Sequence, residues 1–588
     1  MRNRMRGGTV KSNEASVAKS RLLRPALEQA TKSGAAIRGE ARSPHGHVLA
    51  IGTFGVAIVL YTAYVSHFGV NVPHWDDWTN VGQLDAYKHG QLTLSQLWSQ
   101  HNENRMLIPN VIALLLVDLT HLNVKDEMYL GIALLVIGAL SLIAAMTSLT
   151  KRRWLTYSPV LIVLLAPVQW ESSLWGFEFA WFLVTACFGG AIFFICRSRS
   201  QVNLGLAMLL ATVASFSSIQ GLLVWPAIAI LIWGTNRSVY AKATWIVAAV
   251  IVYALYFVDF KFDETGGSGV SAVLSHPIPD FRFFLTALGG IALGSGGVMI
   301  AQILGFCLLV TGIGVVMRYL RSKGSLVQAI PAVLVIFAFL FDVALVFGRT
   351  GFGYGPALQS RYTTYNLLIV VALYLSIVEH ERSGDNVPFR KYSNIAFVTV
   401  AASSGAALIY VSATTAITES RHLASQVNGS ASVLVNIRHA SNPLIAQFLT
   451  IAPPESNVTI VRKLTPFLIR QHDSVFADPS LVRSLSVKRG SDRIELLPRD
   501  EMLPAQPAID AVIHSSLKEQ CAWAVLSTVY FARPDLQVAF PEQSPRLDKQ
   551  VLDWAITVGA ITDYERSYLS PELTFLKRLY RSAAADSG

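Results

Sequence analysis

Three uncharged apolar runs, at 128–149, 297–317 and 394–413, restrict what this chain can fold into more than any other feature. Each is close to the roughly 20 helical residues that cross a hydrocarbon core about 30 Å thick. Inside lipid the backbone must satisfy its own polar groups, so such runs are read as membrane-spanning helices. Composition agrees: the chain is 52% apolar and 15% charged with a mean hydropathy of +0.44, whereas soluble proteins carry about 25% charged residues. The expected fold class is mainly α, a polytopic membrane helical bundle, and a soluble enzyme is excluded.

Spans are predicted near 48–68, 128–149, 154–170, 177–195, 203–218, 221–236, 243–260, 297–317, 326–347, 363–379 and 394–413, eleven in all. Residues 1–46 hold ten Lys or Arg against three acids and read as a disordered cytoplasmic tail, 1–47, ahead of an uncleaved first span. With that tail inside, the segments facing the cytoplasm carry 23 Lys and Arg and the outer loops between spans carry 7. The positive-inside rule therefore puts the N-terminus in and the C-terminus out. It also explains the formal charge of +10 without nucleic acid. The apolar stretches 106–120 and 281–293 are read as helices lying in the outer interface, because making either a span would reverse the basic loops that follow. After 413 the apolar density falls and turn-forming prolines recur, so 48–413 reads as the membrane domain and 414–588 as a separate extracytoplasmic domain. Cys187, Cys196, Cys307 and Cys521 show no CxxC spacing, so neither a disulfide framework nor a cysteine metal site is expected.

Under this topology the polar clusters share the outer side. The first outer loop carries HWDDW at 74–78 and HNENR at 101–105, with Thr93 and Gln96 spaced as a capping box between them. In the helix expected to follow, His101 and Arg105 share a face, and Glu103 would need a kink or a helix end to join them. Asp76 and Asp77 read either as helix caps or, desolvated beside Trp75 and Trp78, as a general base. In QWESSLWGFEFAWF, 169–182, Glu171 and Glu178 fall seven apart on one helical face, and Glu178 sits in an apolar run where an unpaired charge is costly. Gln220 follows in SIQGLLVWP. Arg349 and Arg361 flank a loop with Gly348, Gly351, Gly353 and Gly355, whose amides could turn toward an anion while the two guanidiniums match a phosphate. Snorkelling to the interface is the competing reading of these arginines.

HWDDW, HNENR, QWESSLWGFE, SIQGLLVWP and the SRY-containing loop, set among one span, a long acidic outer loop and ten further spans, resemble the type C glycosyltransferase superfamily. They are similar within it to a bacterial family of multi-span proteins. The resemblance covers about 50–380 and a short segment at 462–476. It implies an inverting transferase of the bacterial inner membrane that takes a sugar from a polyprenyl-phosphate donor to a cell-envelope glycan, lipid or protein. Asp76 or Asp77 would act as base, and Glu103 would line the site as a second acid. Arg105 would join Arg349 and Arg361 in stabilising the departing phosphate, with His101, Glu171, Glu178 and Gln220 binding substrate. Asn104 and Arg105 stand where the lipid A aminoarabinose transferases have a basic residue and paired prolines, so the sugar stays open. A divalent metal at Asp76, Asp77 and Glu103 is compatible with the acids without being specified by them.

The rival reading is a transporter or lipid flippase using acids such as Glu178 and Asp342. Clustering of the polar groups at one surface, away from the midplane, counts against it. The topology makes a direct prediction: reporter fusions after residue 390 report cytoplasm and fusions after residue 430 report the exterior, and a cytoplasmic signal at 430 overturns it.

Overall fold

The computed structural model describes residues 44–380 apart from 236, 262–275, 293–296 and 323, together with scattered residues between 412 and 449 and the segment 454–485. The expected basic tail, nearly all of the expected span 394–413 and most of the expected C-terminal domain lie outside the described residues. What is described is mainly helical. Among the described residues, seven helices are long and apolar enough to cross a membrane: Val48–Phe68, Val124–Thr150, Gly176–Arg197, Val239–Tyr256, Gly297–Arg321, Leu326–Arg349 and Ser360–Glu379. These are the helices of a membrane protein.

In chain order, α1 (Pro44–Phe68) leads into α2 (Asp77–Lys88), the short α3 (Leu94–Trp98) and a two-stranded hairpin of β1 (Gln100–His101) and β2 (Asn104–Arg105). Then come α4 (Leu107–Thr120), α5 (Val124–Thr150), α6 (Ser158–Leu164), α7 (Trp170–Ser173), α8 (Phe179–Arg197), α9 (Gln201–Ser215), α10 (Val224–Gly234) and α11 (Val239–Tyr256). The order continues with α12 (Pro277–Leu288), α13 (Gly297–Arg321), α14 (Leu326–Arg349) and α15 (Thr363–His380), and beyond residue 450 with α16 (Pro454–Gln471) and α17 (Pro479–Leu485).

Three expected spans are corrected in length. The segment 154–170 is divided into a 3-10 turn at Trp154–Tyr157, the seven-residue α6 that follows it, and a second 3-10 turn that Pro167 begins three residues past the end of α6. The segments 203–218 and 221–236 become α9, of 15 residues, and the helical run Ile219–Gly234 that contains α10, each short of the roughly 20 that a straight crossing takes. The apolar stretches 106–120 and 281–293 are largely helical, as α4 and α12.

Between α5 and α8, Gly138 and Gly189 let two backbones meet. A Cβ built on Gly189 would lie 2.6 Å from the Gly138 carbonyl oxygen, and one on Gly138 would lie 3.0 Å from that of Thr185. Small residues at such crossings are how membrane helices gain dispersion contact without a hydrophobic drive between them. Nearer the start of α8, Gly131 lies against Phe182 and Phe179, and Gly176 against Val124 and Glu127, which seats the segment that carries Glu178. Gly189→Ala is expected to cost about 1–3 kcal/mol by overpacking and to lower the melting midpoint in detergent. Gly205→Ala, at a position with nothing within 4 Å of an added Cβ, should be neutral or slightly stabilising. Equal midpoints for the two variants would refute the packing argument.

Candidate active site

The HWDDW segment divides at the start of α2. Asp76 holds the N-cap position, yet its side chain makes no capping bond. Its carboxylate is half-buried and lies 3.5 Å from His101 Nε2. Asp77, one residue on, is 3% exposed and faces the protein interior. It accepts the His74 backbone N–H at Oδ2, 3.1 Å away. Burial pushes the Asp77 carboxyl well above the usual carboxylate range, with Glu127 adding to the rise, and pushes the His74 imidazole down to about 4. The two adjacent acids therefore have separate settings, and only Asp76 is open to a ligand. Between them and the first span, Trp75 holds φ +55, a left-handed conformation that is strained for a bulky residue. Its N–H bonds to Leu449 O at 3.2 Å, and its ring meets Trp175 edge-on at 5.1 Å.

The capping box of Thr93 and Gln96 is present, with both reciprocal bonds made. The helix it starts ends at Trp98, however, so HNENR is not helical and the shared helical face of His101 and Arg105 does not exist. The segment forms a hairpin in which Gln100 pairs with Arg105 and His101 with Asn104. Asn102 takes φ +49 at its tip, a conformation that Asn tolerates better than most residues. This turn is what brings Glu103 to the site.

Glu103 grips the guanidinium of Arg349 with both oxygens, at 2.5 Å from Nη1 and 2.8 Å from Nη2. A bidentate, charge-assisted pair of this kind is among the stronger polar contacts. Arg349 ends α14, where a cation is also favoured by the helix dipole. Arg105 is accounted for differently. Its Nε donates to Tyr256 O at 2.7 Å, its Nη1 to Trp98 O at 2.9 Å, and its Nη2 to Val258 O. At 3% exposure it clasps the end of α11, and the role expected for it on a departing phosphate is corrected to one of holding the hairpin in place.

Glu171 and Glu178 lie on separate short helical segments, not on one helical face. Both nonetheless approach Arg361. Glu171 Oε1 is 3.4 Å from its Nη1, and Glu171 Oε2 accepts its backbone N–H at 3.3 Å. In the glycine-rich loop the Gly353 N–H is spent on Thr350 O, closing a 3-10 turn, so that amide is not turned toward an anion. Gln220 sits behind the Ser218 hydroxyl, which lies within reach of both Gln220 Oε1 and Asn104 Oδ1.

These elements enclose a cavity of about 440 Å³ lined by Asp76, His101, Glu178, Arg349 and Arg361, with Asn104, Ser218 and several aromatic rings. Of the residues expected from sequence, Asp77, Glu103, Arg105, Glu171 and Gln220 are outside the lining, although Glu103 and Glu171 hold its two arginines. Sequence reasoning missed Asn104 and Ser218, and also Ile460 and Val461 of α16, which close one wall. Their signal was the short likeness at 462–476, next to those residues. No group of three or more His, Cys, Asp or Glu suited to a metal occurs among the described residues. The expected trio does not fit one, since Asp77 faces away and Glu103 is taken by Arg349.

Searches against protein-family models and curated proteins return no match. The site therefore has to be interpreted from its own geometry.

One consequence concerns pH. A histidine whose folded pKa is depressed stabilises the fold fully above its unfolded value near 6.5, and that contribution is lost as pH falls toward 4. Asp77, raised by burial, works in the opposite sense, losing stability as pH rises. Between pH 7 and pH 5 the His74 contribution should fall by about 2 kcal/mol. The melting midpoint of the wild type should thus drop more over this interval than that of His74→Gln, and parallel drops would contradict the assignment.

Proposed function

We propose that the protein is a membrane glycosyltransferase that moves a sugar from a polyprenyl-phosphate carrier to a cell-envelope acceptor at the outer face of a bacterial inner membrane. The observation that carries the reading is a single cavity with an open carboxylate, Asp76, and two held guanidiniums, Arg349 and Arg361. One reaction uses both features. Asp76 takes the proton of an acceptor hydroxyl, whose oxygen attacks the anomeric carbon as the bond from that carbon to the phosphate oxygen breaks. The lipid phosphate leaves with the electron pair, and attack from the opposite face inverts the anomeric centre. The arginines receive the charge growing on the leaving oxygen with the donors that Glu103 and Glu171 leave free. Their fixed orientation means little reorganisation at the moment of reaction. His101, 3.5 Å from Asp76, helps to orient that carboxylate. In this reading the chain crosses the membrane an odd number of times, with its N-terminus inside and its C-terminal part outside.

The transporter reading draws on Asp342, which is wholly buried in α14. That carboxylate accepts a bond from Asn366 Nδ2 at 3.2 Å, and the same amide donates to Ala287 O at 2.8 Å. The pair ties α14 to α15 and α12, while Asp342 Oδ2 has no hydrogen-bond partner among the described residues.

The test is turnover of a labelled polyprenyl-phosphate sugar by purified protein. Asp76→Asn should lose about 10²–10⁴ in rate while membrane abundance holds. Asp77→Asn should lose far less, because an amide oxygen can still accept the His74 N–H. Transfer by Asp76→Asn at the wild-type rate would remove the proposed base.

A further inference from the structure

Glu178 is a carboxylate that the proposed chemistry leaves without a task. It occupies the N-cap position of α8 but makes no capping bond, and at 4% exposure it is buried in the cavity wall. Its Oε2 has no hydrogen-bond partner among the described residues. Leaving a buried polar group unpaired is costly, and more so for a charge. The Trp78 indole N–H, in the same wall, is likewise buried without an acceptor. The cavity thus carries an unmet acceptor and an unmet donor. Around them stand aromatic faces: Phe177, Trp75, and Trp181, whose ring is stacked on Tyr365 at 5.6 Å and 14°.

A ligand that answers all of these must bring hydroxyl donors and acceptors on a compact body with apolar C–H faces. A phosphate alone fails, since it brings no apolar C–H face to the aromatic rings. A pyranose ring meets each requirement: its hydroxyls donate to Glu178 and accept from Trp78 while its C–H face lies on an aromatic ring. We propose that Glu178 is the specificity-determining residue of a pyranose subsite in this cavity, accepting hydroxyl hydrogens from the sugar held among the aromatic side chains. The assignment rests on the glycosyltransferase reading and adds to it the group that selects the sugar. Selection follows from geometry, because a site built to bond a particular hydroxyl rejects an epimer that leaves the carboxylate unpaired.

The experiment is a titration of the purified full chain with a set of methyl pyranosides that differ in hydroxyl configuration, followed by tryptophan fluorescence. Wild type should respond saturably to at least one member and discriminate among epimers. Glu178→Gln, which keeps the size but replaces an acceptor oxygen with a donor, should weaken the preferred sugar roughly 10- to 100-fold and flatten the discrimination. Its melting midpoint should stay at the wild-type value, and Glu178→Asp provides a second variant should the amide fail to fold. Absence of a saturable response to every pyranoside, or unchanged selectivity in the variants, overturns the subsite. Glycosyl transfer that proceeds with unchanged sugar selectivity in Glu178→Gln would leave the enzyme reading standing and the subsite refuted. Glu178-dependent sugar binding without any transfer would do the reverse.

Discussion

The grip of Glu103 on Arg349 is the contact on which the candidate site depends. A guanidinium at the end of an apolar helix needs a partner, and the partner comes from a loop almost 250 residues earlier in the chain. To deliver it, the HNENR segment must leave the helical path, turn through Asn102 at φ +49 and be clamped from behind. Arg105 supplies that clamp by spending its donors on carbonyls of Trp98, Tyr256 and Val258. The Tyr256 hydroxyl completes it with a 2.7 Å bond to Glu103 O. Breaking one member of a half-buried bidentate pair strands the other charge, so the hairpin, the end of α11 and the end of α14 form one unit. Arg361 repeats the logic with Glu171, whose backbone N–H in turn donates to the Ser360 hydroxyl at 3.2 Å.

Around these two pairs the cavity collects groups from distant parts of the chain. Asp76 arrives with α2, Glu178 with α8, and Ser218 from the turn between α9 and α10. The last wall belongs to α16, whose Leu464 lies over Gly82 of α2 at 3.6 Å from an added Cβ. Nearby, Ser474 N–H bonds to His121 O at 2.9 Å. A segment that reads from sequence as part of a separate domain thus packs onto the first loop and shapes the site.

The long helices were legible because lipid imposes a length and a composition on them: the run at 297–317 lies inside α13, and those at 326–347 and 363–379 lie inside α14 and α15. Apolar runs interrupted by proline were less so, as α6 shows, since hydropathy counts residues and not backbone breaks. In the site, residue types and their convergence were readable, but orientation was not. Asp76 and Asp77 are neighbours in sequence, yet a helix begins between them and sends their carboxylates to opposite environments. Arg105 and Arg349 look alike as loop cations, and only the fold reveals that one has spent its donors on carbonyls and the other on a carboxylate. Glu103 could not be placed from helical periodicity because the hairpin that carries it depends on contacts with α11, far along the chain.

The central claim is that one cavity brings an open carboxylate to the sugar and two arginines to the phosphate of the same donor. Its most direct test is an experimental structure with a non-hydrolysable polyprenyl-phosphonate sugar. The account predicts the phosphonate oxygens within hydrogen-bonding reach of Arg349 or Arg361, and the anomeric carbon facing Asp76 with room for an acceptor hydroxyl about 3–3.5 Å away. A headgroup bound elsewhere on the bundle, or seated in the cavity with its anomeric carbon turned from Asp76, would contradict it.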